Sequence, residues 1–315
     1  MTLTVVKPGL QTTLQGAPYL GHRHLGMPAA GAADCLSLAL ANHLVGNAPD
    51  AIAVEITLDD VKLTVRHPIA LALTGAAEFL RVGDEDRALH ALVYAKPGDE
   101  IHIGPATQGC RSYLAVSGQI KALSLLGGGS TYLVAGLGGF KGRALQADDV
   151  IECKQAAISE TTGKNTPDGL RPIISDRFIM RVTIGPELSS LSLDSQKMIF
   201  EKNCQVGART NRMGLNLQGL ALDQEDGSQM HSAPVFPGTI QCPPDGEPFL
   251  LGPDAQTTGG YPRIAQVIRA DRHLIGQLHP GSEIQLVPVS NERATEIYRQ
   301  KLSLLTPWLG AMSLW

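Results

Sequence analysis

Short apolar runs, each closed by a turn rich in Gly, Pro or Asp, constrain this chain most. Between residues 53 and 116 such runs occupy residues 54–58, 61–65, 69–73, 89–94, 101–103 and 111–116. Turns such as Lys96-Pro97-Gly98-Asp99 separate them. The spacing of about ten residues, together with 34 Gly, 20 Pro and few aromatic residues, favours many short strands. The pattern predicts an all-β barrel or sandwich.

Three helices and one linker interrupt this pattern. Asp34 is a good N-cap for a helix over residues 35–45, which Gly46 ends. Further helices are predicted at residues 193–203, with Met198 and Phe200 as core candidates, and at 291–305. The polar stretch 154–175 is the best linker. We therefore expect lobes at 1–153 and 176–290, followed by a C-terminal helix and tail at 291–315.

Bulk properties exclude several functional classes. The net charge is −4 and the 26 Lys and Arg form no basic block, which argues against nucleic-acid binding. No apolar run approaches the roughly 18 residues of a spanning helix, so we expect no membrane partner and a cytoplasmic protein. The five cysteines are scattered, which indicates neither a disulfide framework nor a zinc site. His22 and His24 lack a third ligand nearby, so no metal is predicted.

Residues 238–271 contain the densest turns in the chain. Gln256, Thr257, Thr258 and Tyr261 surround the pair Gly259-Gly260. A loop of this kind exposes amides, hydroxyls and backbone N–H groups, which suit a carbonyl, amide or carboxylate ligand. The alternative is a tight β-connection with no ligand.

Several motifs together resemble one known family. They are Thr12-Thr13-Leu14-Gln15, His24-Leu25-Gly26-Met27-Pro28, Gly31-Ala32-Ala33-Asp34, Arg111 to Gly118, Gly129-Ser130-Thr131-Tyr132, Thr210 to Leu215, Pro243-Pro244-Asp245-Gly246 and Gln256 to Pro262. Their order and spacing resemble the family called allophanate hydrolase subunit 2, the C subunit of 5-oxoprolinase, or biotin-dependent carboxyltransferase-like protein. The resemblance covers nearly the whole chain. It implies a mainly β fold with two cyclophilin-like β-barrel lobes and a few short helices.

The resemblance also implies a function. The chain would be the C subunit of a bacterial ATP-dependent 5-oxoprolinase, which opens 5-oxoproline to glutamate together with homologues of the A and B subunits. The alternatives are the carboxyltransferase component of a urea-carboxylase-like system and a regulatory partner of a kinase inhibitor. ATP is expected to act in the complex. No biotin is expected on this chain, because the nearest match to a biotinylation motif, Gln196-Lys197-Met198, lacks the preceding Ala-Met.

The candidate site residues follow from these motifs. The predicted catalytic residues are His24, Arg212 and Tyr261; the predicted substrate-binding residues are Gln241, Gln256, Thr257, Thr258 and Arg263. Arg212 is equally compatible with a structural salt bridge, and Tyr261 with core packing. Arg111 and Glu55 are weaker candidates. Cys242 has no visible base and the chain has no nucleophile-elbow motif, so a small buried role is expected for this thiol.

Two further features bear on activity and assembly. After Gln15 the family usually has Asp and then Gly-Arg, whereas this chain has Gly16, Pro18 and Tyr19. The difference indicates a lost ion pair or a lost pair of catalytic groups. The apolar tail, residues 307–315, either packs back on the body or meets another chain. With no complete catalytic set, we expect a stable complex with the B-type partner.

Overall fold

A computed structural model describes residues 2–154, 165–225 and 230–315. The fold is mainly β, with three α-helices and several short 3₁₀ turns among these residues, which confirms the predicted fold class. The chain forms two compact units. The first comprises residues 1–18, 34–174 and 305–312, and the second comprises 19–33, 175–304 and 313–315.

Among its described residues, the first unit contains twelve strands and one complete α-helix. The strands are β1 (Thr2–Lys7), β2 (Gln11–Gln15), β3 (Ala53–Thr57), β4 (Val61–Val65), β5 (Ile69–Gly75), β6 (Leu80–Val82), β7 (Glu85–Arg87), β8 (Val93–Ala95), β9 (Glu100–Ile103), β10 (Arg111–Val116), β11 (Gln119–Ile120) and β12 (Val150–Lys154); the helix is α1 (Cys35–Leu44). The strands form two sheets, ordered β11-β12-β1-β4-β9-β6-β7 and β2-β3-β10-β5-β8. Apolar residues from both sheets share one buried core, which includes Leu3, Leu63, Leu73 and Leu114.

The helix α1 forms where its capping residue predicts it. The Asp34 carboxylate accepts hydrogen bonds from the backbone N–H groups of Leu36 at 3.1 Å and Ser37 at 2.9 Å. These bonds satisfy donors that the first turn of a helix leaves unpaired. Gly46 follows in the left-handed conformation, with φ of 79°. The structure therefore supports the capping role predicted for Asp34.

The second unit is organised around a closed barrel. Its strands are β13 (Arg177–Ile184), β14 (Cys204–Thr210), β15 (Gly214–Gln218), β16 (Ala233–Pro234), β17 (Thr239–Gln241), β18 (Phe249–Leu251), β19 (Thr258–Gly259), β20 (Arg263–Val267) and β21 (Glu283–Pro288). Its helices are α2 (Leu193–Glu201) and most of α3 (Asn291–Leu309), whose residues 305–309 belong to the first unit. The barrel order is β13-β20-β17-β18-β15-β14-β21. The parallel pair β13–β21 closes it, with Arg177 opposite Glu283. Closure leaves no barrel edge unpaired.

Some elements differ from the sequence predictions. The predicted strand at 89–94 is reduced to β8, and β6 and β7 were missed because they are only three residues long. In α2 the buried apolar residue is Ile199, while Met198 and Phe200 pack at the edge of the core. The helix α3 continues through Pro307, which lies in its last turn and removes one backbone donor there.

The predicted linker, residues 154–175, lies partly outside the described residues. Its second half is anchored on the first unit, because the backbone N–H of Thr166 donates to the carbonyl of His90 at 2.9 Å. The Arg171 guanidinium donates back to the Thr166 carbonyl at 2.8 Å. Thr166 is buried. Within the described part of the predicted linker, these hydrogen bonds connect Thr166 to His90 and Arg171 to Thr166.

The C-terminal tail packs on its own chain. Leu314 is buried, and its carbonyl accepts a hydrogen bond from Arg269 at 2.9 Å. The Trp315 indole donates to the Ala32 carbonyl at 3.4 Å. Of the two fates considered for the tail, the structure shows the first. The tail therefore gives no support to the predicted complex with a B-type partner.

Candidate active site

A cavity of about 690 Å³ opens at one side of the second-unit barrel. Its lining comes from the end of β14, the turn into β15, the end of β17 with the loop after it, β18, and the loop before β20: Ala208, Arg209, Thr210, Asn211, Met213, Gly214, Gln241, Pro243, Asp245, Phe249, Leu251, Gln256 and Tyr261. Three of the eight predicted site residues, namely Gln241, Gln256 and Tyr261, are in this lining. The other five are not.

An irregularity in the β14–β15 pair forms one wall of the cavity. Val206 pairs with Leu217 and Thr210 with Leu215, so a four-residue step on β14 faces a two-residue step on β15. The additional residues bulge from the ladder, and this part of β14 lines the cavity. Bulges are frequent beside active sites because they re-aim side chains.

Two carboxamides and a tyrosine form the polar side of the cavity. Gln241 is only 2% exposed, and its Nε2 donates to the backbone carbonyl of Tyr261 at 3.1 Å. Its Oε1 accepts a long hydrogen bond of 3.4 Å from Nε2 of Gln256, which is exposed. Tyr261 is 47% exposed. The buried amide is therefore fixed, while the exposed amide and the phenol face solvent and remain accessible to a ligand.

The glycine pair of the predicted loop has a steric role. A Cβ at Gly259 would lie 2.5 Å from Nε2 of Gln241, whereas a Cβ at Gly260 would meet nothing closer than 3.6 Å. A side chain at Gly259 would therefore displace the Gln241 amide. Of the pair, only Gly259 must lack a side chain for the loop to lie this close to Gln241.

Arg209 supplies positive charge to the cavity. Its Nη2 lies 2.5 Å from Oε2 of Glu247, and its guanidinium lies over the Phe249 ring, 5.5 Å from the centroid. The same carboxylate oxygen accepts from Nδ2 of Asn216 at 3.1 Å. Sequence reasoning missed Arg209. The only available signal was its place just before the recognised motif from Thr210 to Leu215.

The prediction that Arg212 is catalytic is not supported by its surroundings. Its guanidinium forms a bidentate ion pair with Asp254, with both N–O distances at 2.9 Å. Its Nη2 also donates to the Gly31 carbonyl at 2.6 Å. Both charged residues are buried, at 4% and 1% exposure. Of the two roles considered for Arg212, the structure supports the salt bridge.

Arg263 is likewise committed to an internal partner. It pairs with Glu187 through Nη2 at 2.5 Å and Nε at 2.9 Å, and this arginine lowers the pKa of the Glu187 carboxyl. Thr258 belongs to the short ladder β16–β19, where it pairs with Pro234. The backbone carbonyl of Thr257 accepts from Arg23 at 3.5 Å. These three residues build the loop that carries Tyr261 and do not line the cavity.

Arg23, rather than His24, holds the segment 19–33 to this loop. The Arg23 guanidinium donates to the carbonyl of Val235 as well as to that of Thr257. It also lies over the Phe236 ring, 4.9 Å from the centroid. His24 is exposed on the 3₁₀ turn Arg23–Leu25. His24, a predicted catalytic residue, is outside the cavity lining.

Cys242 is buried between the cavity-lining residues Gln241 and Pro243, and its thiol is protonated at neutral pH. Burial raises the pKa of its thiol to about 11, although a hydrogen bond from Gln224 opposes the rise. This agrees with the small buried role expected for it. Gln224 and Tyr261 also line a second cavity, of about 520 Å³, which shares Asp245 and Tyr261 with the first.

The departure from the family motif after Gln15 has a structural counterpart. A Cβ at Gly16 would lie 2.9 Å from the Asp50 carbonyl, so a carboxylate side chain does not fit there. Tyr19 is buried in the second unit, where burial and the nearby Asp254 raise its pKa. The neutral phenol of Tyr19 thus lies near Asp254, whose negative charge is already paired with Arg212.

The first unit has polar features of its own. Tyr113 donates from its hydroxyl to Glu55 at 2.8 Å and accepts from the Asp34 backbone N–H at 2.7 Å. Arg111 lies 3.5 Å from the same glutamate, and all of these residues are buried. This network supports β3, β10 and the start of α1, so the structure gives Arg111 and Glu55 a structural role.

A cavity of about 800 Å³ also belongs to the first unit. Its lining includes the glycines 127–129 and the charged residues Lys121 and Glu152, which pair with each other at 3.0 Å. We favour the 690 Å³ cavity of the second unit as the site, because its lining includes the predicted residues Gln241, Gln256 and Tyr261. Within the described ranges, no three His, Cys, Asp or Glu side chains cluster as metal ligands would.

Comparison with known proteins identifies the family. The model for the carboxyltransferase domain, subdomain A and B, matches residues 25–288. The chain belongs to this family. It is 34% identical to the C subunit of 5-oxoprolinase from Escherichia coli over 93% of both chains, and 31% identical to that of Haemophilus influenzae over 92% of both. It is also 30% identical to the urea amidolyase of Saccharomyces cerevisiae, but it spans only 17% of that protein. The resemblance found in the sequence is confirmed.

Solved structures agree with the family assignment. The K. lactis urea amidolyase matches with a TM-score of 0.92 at 28% identity, covering 98% of this chain and 20% of that one. The Kluyveromyces lactis urea carboxylase matches with a TM-score of 0.91, covering 98% of this chain and 29% of that one. These relatives are named as enzymes or as subunits of one. No helix among the described residues is long and apolar enough to cross a membrane.

Proposed function

We propose that this chain is the C component of an ATP-dependent 5-oxoprolinase, acting with homologues of the A and B subunits to open 5-oxoproline to glutamate. The observation that supports the proposal is the share of each relative's length that this chain matches. The chain matches the C subunits of two bacterial 5-oxoprolinases over 93% and 92% of their length, whereas it matches less than a fifth of urea amidolyase. The match therefore extends over nearly the whole of a separate subunit.

The cavity chemistry supports a role in binding the substrate. A lactam presents one N–H donor and one carbonyl acceptor on a rigid ring. The Gln256 carboxamide and the Tyr261 hydroxyl offer both donors and acceptors at the cavity wall. We assign them to the lactam, with Gln241 holding the loop that carries Tyr261.

We propose that the other subunits supply part of the catalytic groups. Cys242 is un-ionised at neutral pH, and Arg212 and Arg263 are held by internal carboxylates. Opening an unstrained lactam in water is close to balanced, so coupling to ATP makes the reaction favourable. ATP supplies a phosphoryl group that activates the lactam carbonyl. The cytoplasm, where ATP is available, is the compartment that we propose.

A second candidate is the carboxyltransferase component of a urea-carboxylase-like system. The family description and the TM-score of 0.92 to urea amidolyase favour it. In that case a carboxybiotin group arrives on another chain, because we propose that this chain carries none.

Reconstitution distinguishes the two candidates. In the first mixture the chain is combined with co-expressed A and B homologues. In a separate second mixture it is combined with a biotin carboxylase and a biotin carrier. The first mixture is expected to form glutamate from 5-oxoproline and ATP, and omission of any one component should abolish the reaction. Carboxylation of urea by the second mixture, with no glutamate from the first, would replace the proposal by the second candidate.

A further inference from the structure

Arg209 lines the second-unit cavity and is its only cation among the described lining residues. The β14 bulge takes it out of the regular strand pairing. Glu247 and the Phe249 ring hold its guanidinium, yet the side chain is 62% exposed. Glu247 engages Nη2, while a guanidinium carries five N–H donors in a planar fork. Donors therefore remain for a second anion.

Two other arginines of the second unit, Arg212 and Arg263, are less suited to bind a ligand anion. Arg212 is buried in its pair with Asp254, and Arg263 is held by Glu187 and by the Pro234 carbonyl at 3.0 Å. A ligand carboxylate that approached either of them would compete with a carboxylate already in place. Arg209 is the exposed guanidinium in the cavity wall.

We infer that Arg209 determines the specificity of this cavity by binding the carboxylate of a small amide or lactam acid. The inference rests on the proposed function and adds to it the residue that distinguishes an acidic lactam from a neutral one. Guanidinium and carboxylate match as a planar fork and a planar pair of oxygens. Glu247 acts as a positioning residue, since it fixes one edge of the fork.

The polar wall completes the recognition. With a ligand carboxylate on Arg209, the ring amide is left for Gln256 and Tyr261, which line the same cavity. The ligand class is therefore a compact acid that also carries an amide. The compound 5-oxoproline has both groups, and 2-pyrrolidinone has the same ring without the carboxylate.

Binding of these two compounds to the full chain tests the inference by calorimetry. Wild type should bind 5-oxoproline at least about tenfold more tightly than 2-pyrrolidinone, as expected for hydrogen bonds to a charged group. Arg209→Gln should lose that preference and keep its affinity for 2-pyrrolidinone, and Arg209→Lys should be intermediate. Arg81→Gln is the matched control. Arg81 is an exposed arginine of the first unit that pairs with Asp86 at 2.8 Å and lies 5.9 Å from the Phe79 centroid.

Two results would overturn the inference: a wild-type preference retained by Arg209→Gln, or no saturable binding of 5-oxoproline. Turnover separates this outcome from failure of the proposed function. Selective binding that depends on Arg209, without glutamate formation in the assembled enzyme, would refute the function and leave Arg209 as an anion-binding residue. Glutamate formation with the KM for 5-oxoproline unchanged in Arg209→Gln would refute the inference alone.

Discussion

Arg212 and Asp254 form a buried bidentate ion pair, with Nε and Nη2 each 2.9 Å from a carboxylate oxygen. Together with the hydrogen bond from Arg212 to the Gly31 carbonyl, the pair ties the β14–β15 turn to the loop before β19 and to the segment 19–33. An arginine that stood out as a catalytic candidate thus stabilises the β14–β15 turn, which contributes Asn211 and Met213 to the cavity lining.

Removal of one partner of this pair should destabilise the protein. Arg212→Ala leaves the Asp254 carboxylate buried without its main counter-charge, which typically costs about 3–5 kcal/mol in the free energy of unfolding. Urea unfolding measures the loss. Arg81→Ala, in an exposed pair, is the control and should cost at most about 1 kcal/mol. An Arg212→Ala protein of wild-type stability but without activity would return Arg212 to a catalytic role.

The two glycines of the site loop should respond differently to alanine. Gly259→Ala places a methyl group 2.5 Å from Nε2 of Gln241, and should break the hydrogen bond from that amide to Tyr261. We expect weaker 5-oxoproline binding and a stability loss of about 1 kcal/mol. Gly260→Ala, with no atom closer than 3.6 Å, should resemble wild type in both measurements. Equal effects of the two substitutions would contradict the steric role of Gly259.

Cys242 should be dispensable for turnover. With its thiol pKa at about 11, roughly one molecule in ten thousand is ionised at neutral pH. Cys242→Ala should therefore keep kcat of the assembled enzyme within about twofold, and the native thiol should resist iodoacetamide. Complete loss of activity in a folded Cys242→Ala protein would show that the thiol takes part in the reaction.

His90 should make the stability of the first unit depend on pH. Burial and the nearby Arg171 guanidinium lower the pKa of His90 to about 4, against about 6.5 in an unfolded chain. The unfolded state binds the proton more readily than the folded state. The contribution of His90 to the free energy of unfolding is therefore fully present above pH 6.5 and is lost as the pH decreases toward 4.

Urea unfolding across this pH range tests the prediction with two variants. His90 has a positive φ of 58°, which Asn tolerates, so His90→Asn is the suitable substitution. It should flatten the decline, whereas His67→Asn, at an exposed position, should leave it intact. A decline of the same slope in His90→Asn would assign the pH dependence to other groups.

Local patterns in the sequence predicted the elements that depend on local chemistry. Asp34 and Gly46 defined α1 within one residue, and alternating apolar runs indicated β4 and β10. The same reasoning could not place Arg212, because its partner Asp254 is 42 residues away and no periodicity connects them. Contacts of this kind depend on strand pairing across the barrel.

The site was predicted in part for the same reason. Gln256 and Tyr261 were recognised because they lie on an obvious turn. Arg209 was missed because it reads as an ordinary strand residue until the register shift between Val206 and Thr210 is known. A bulge changes which side chains face a cavity without leaving a signal in composition or spacing.

The central claim is that the second-unit cavity binds 5-oxoproline in an assembled ATP-dependent enzyme. Glutamate formation by the reconstituted complex tests it most directly, with wild type compared with a Gln256→Leu, Tyr261→Phe double variant. Both side chains are exposed, so the variant should fold and assemble. The claim predicts ATP-dependent glutamate formation by wild type and a kcat/KM lower by about tenfold or more in the variant, since two neutral hydrogen bonds are lost. Equal rates in the two complexes, or no glutamate from wild type, would contradict it.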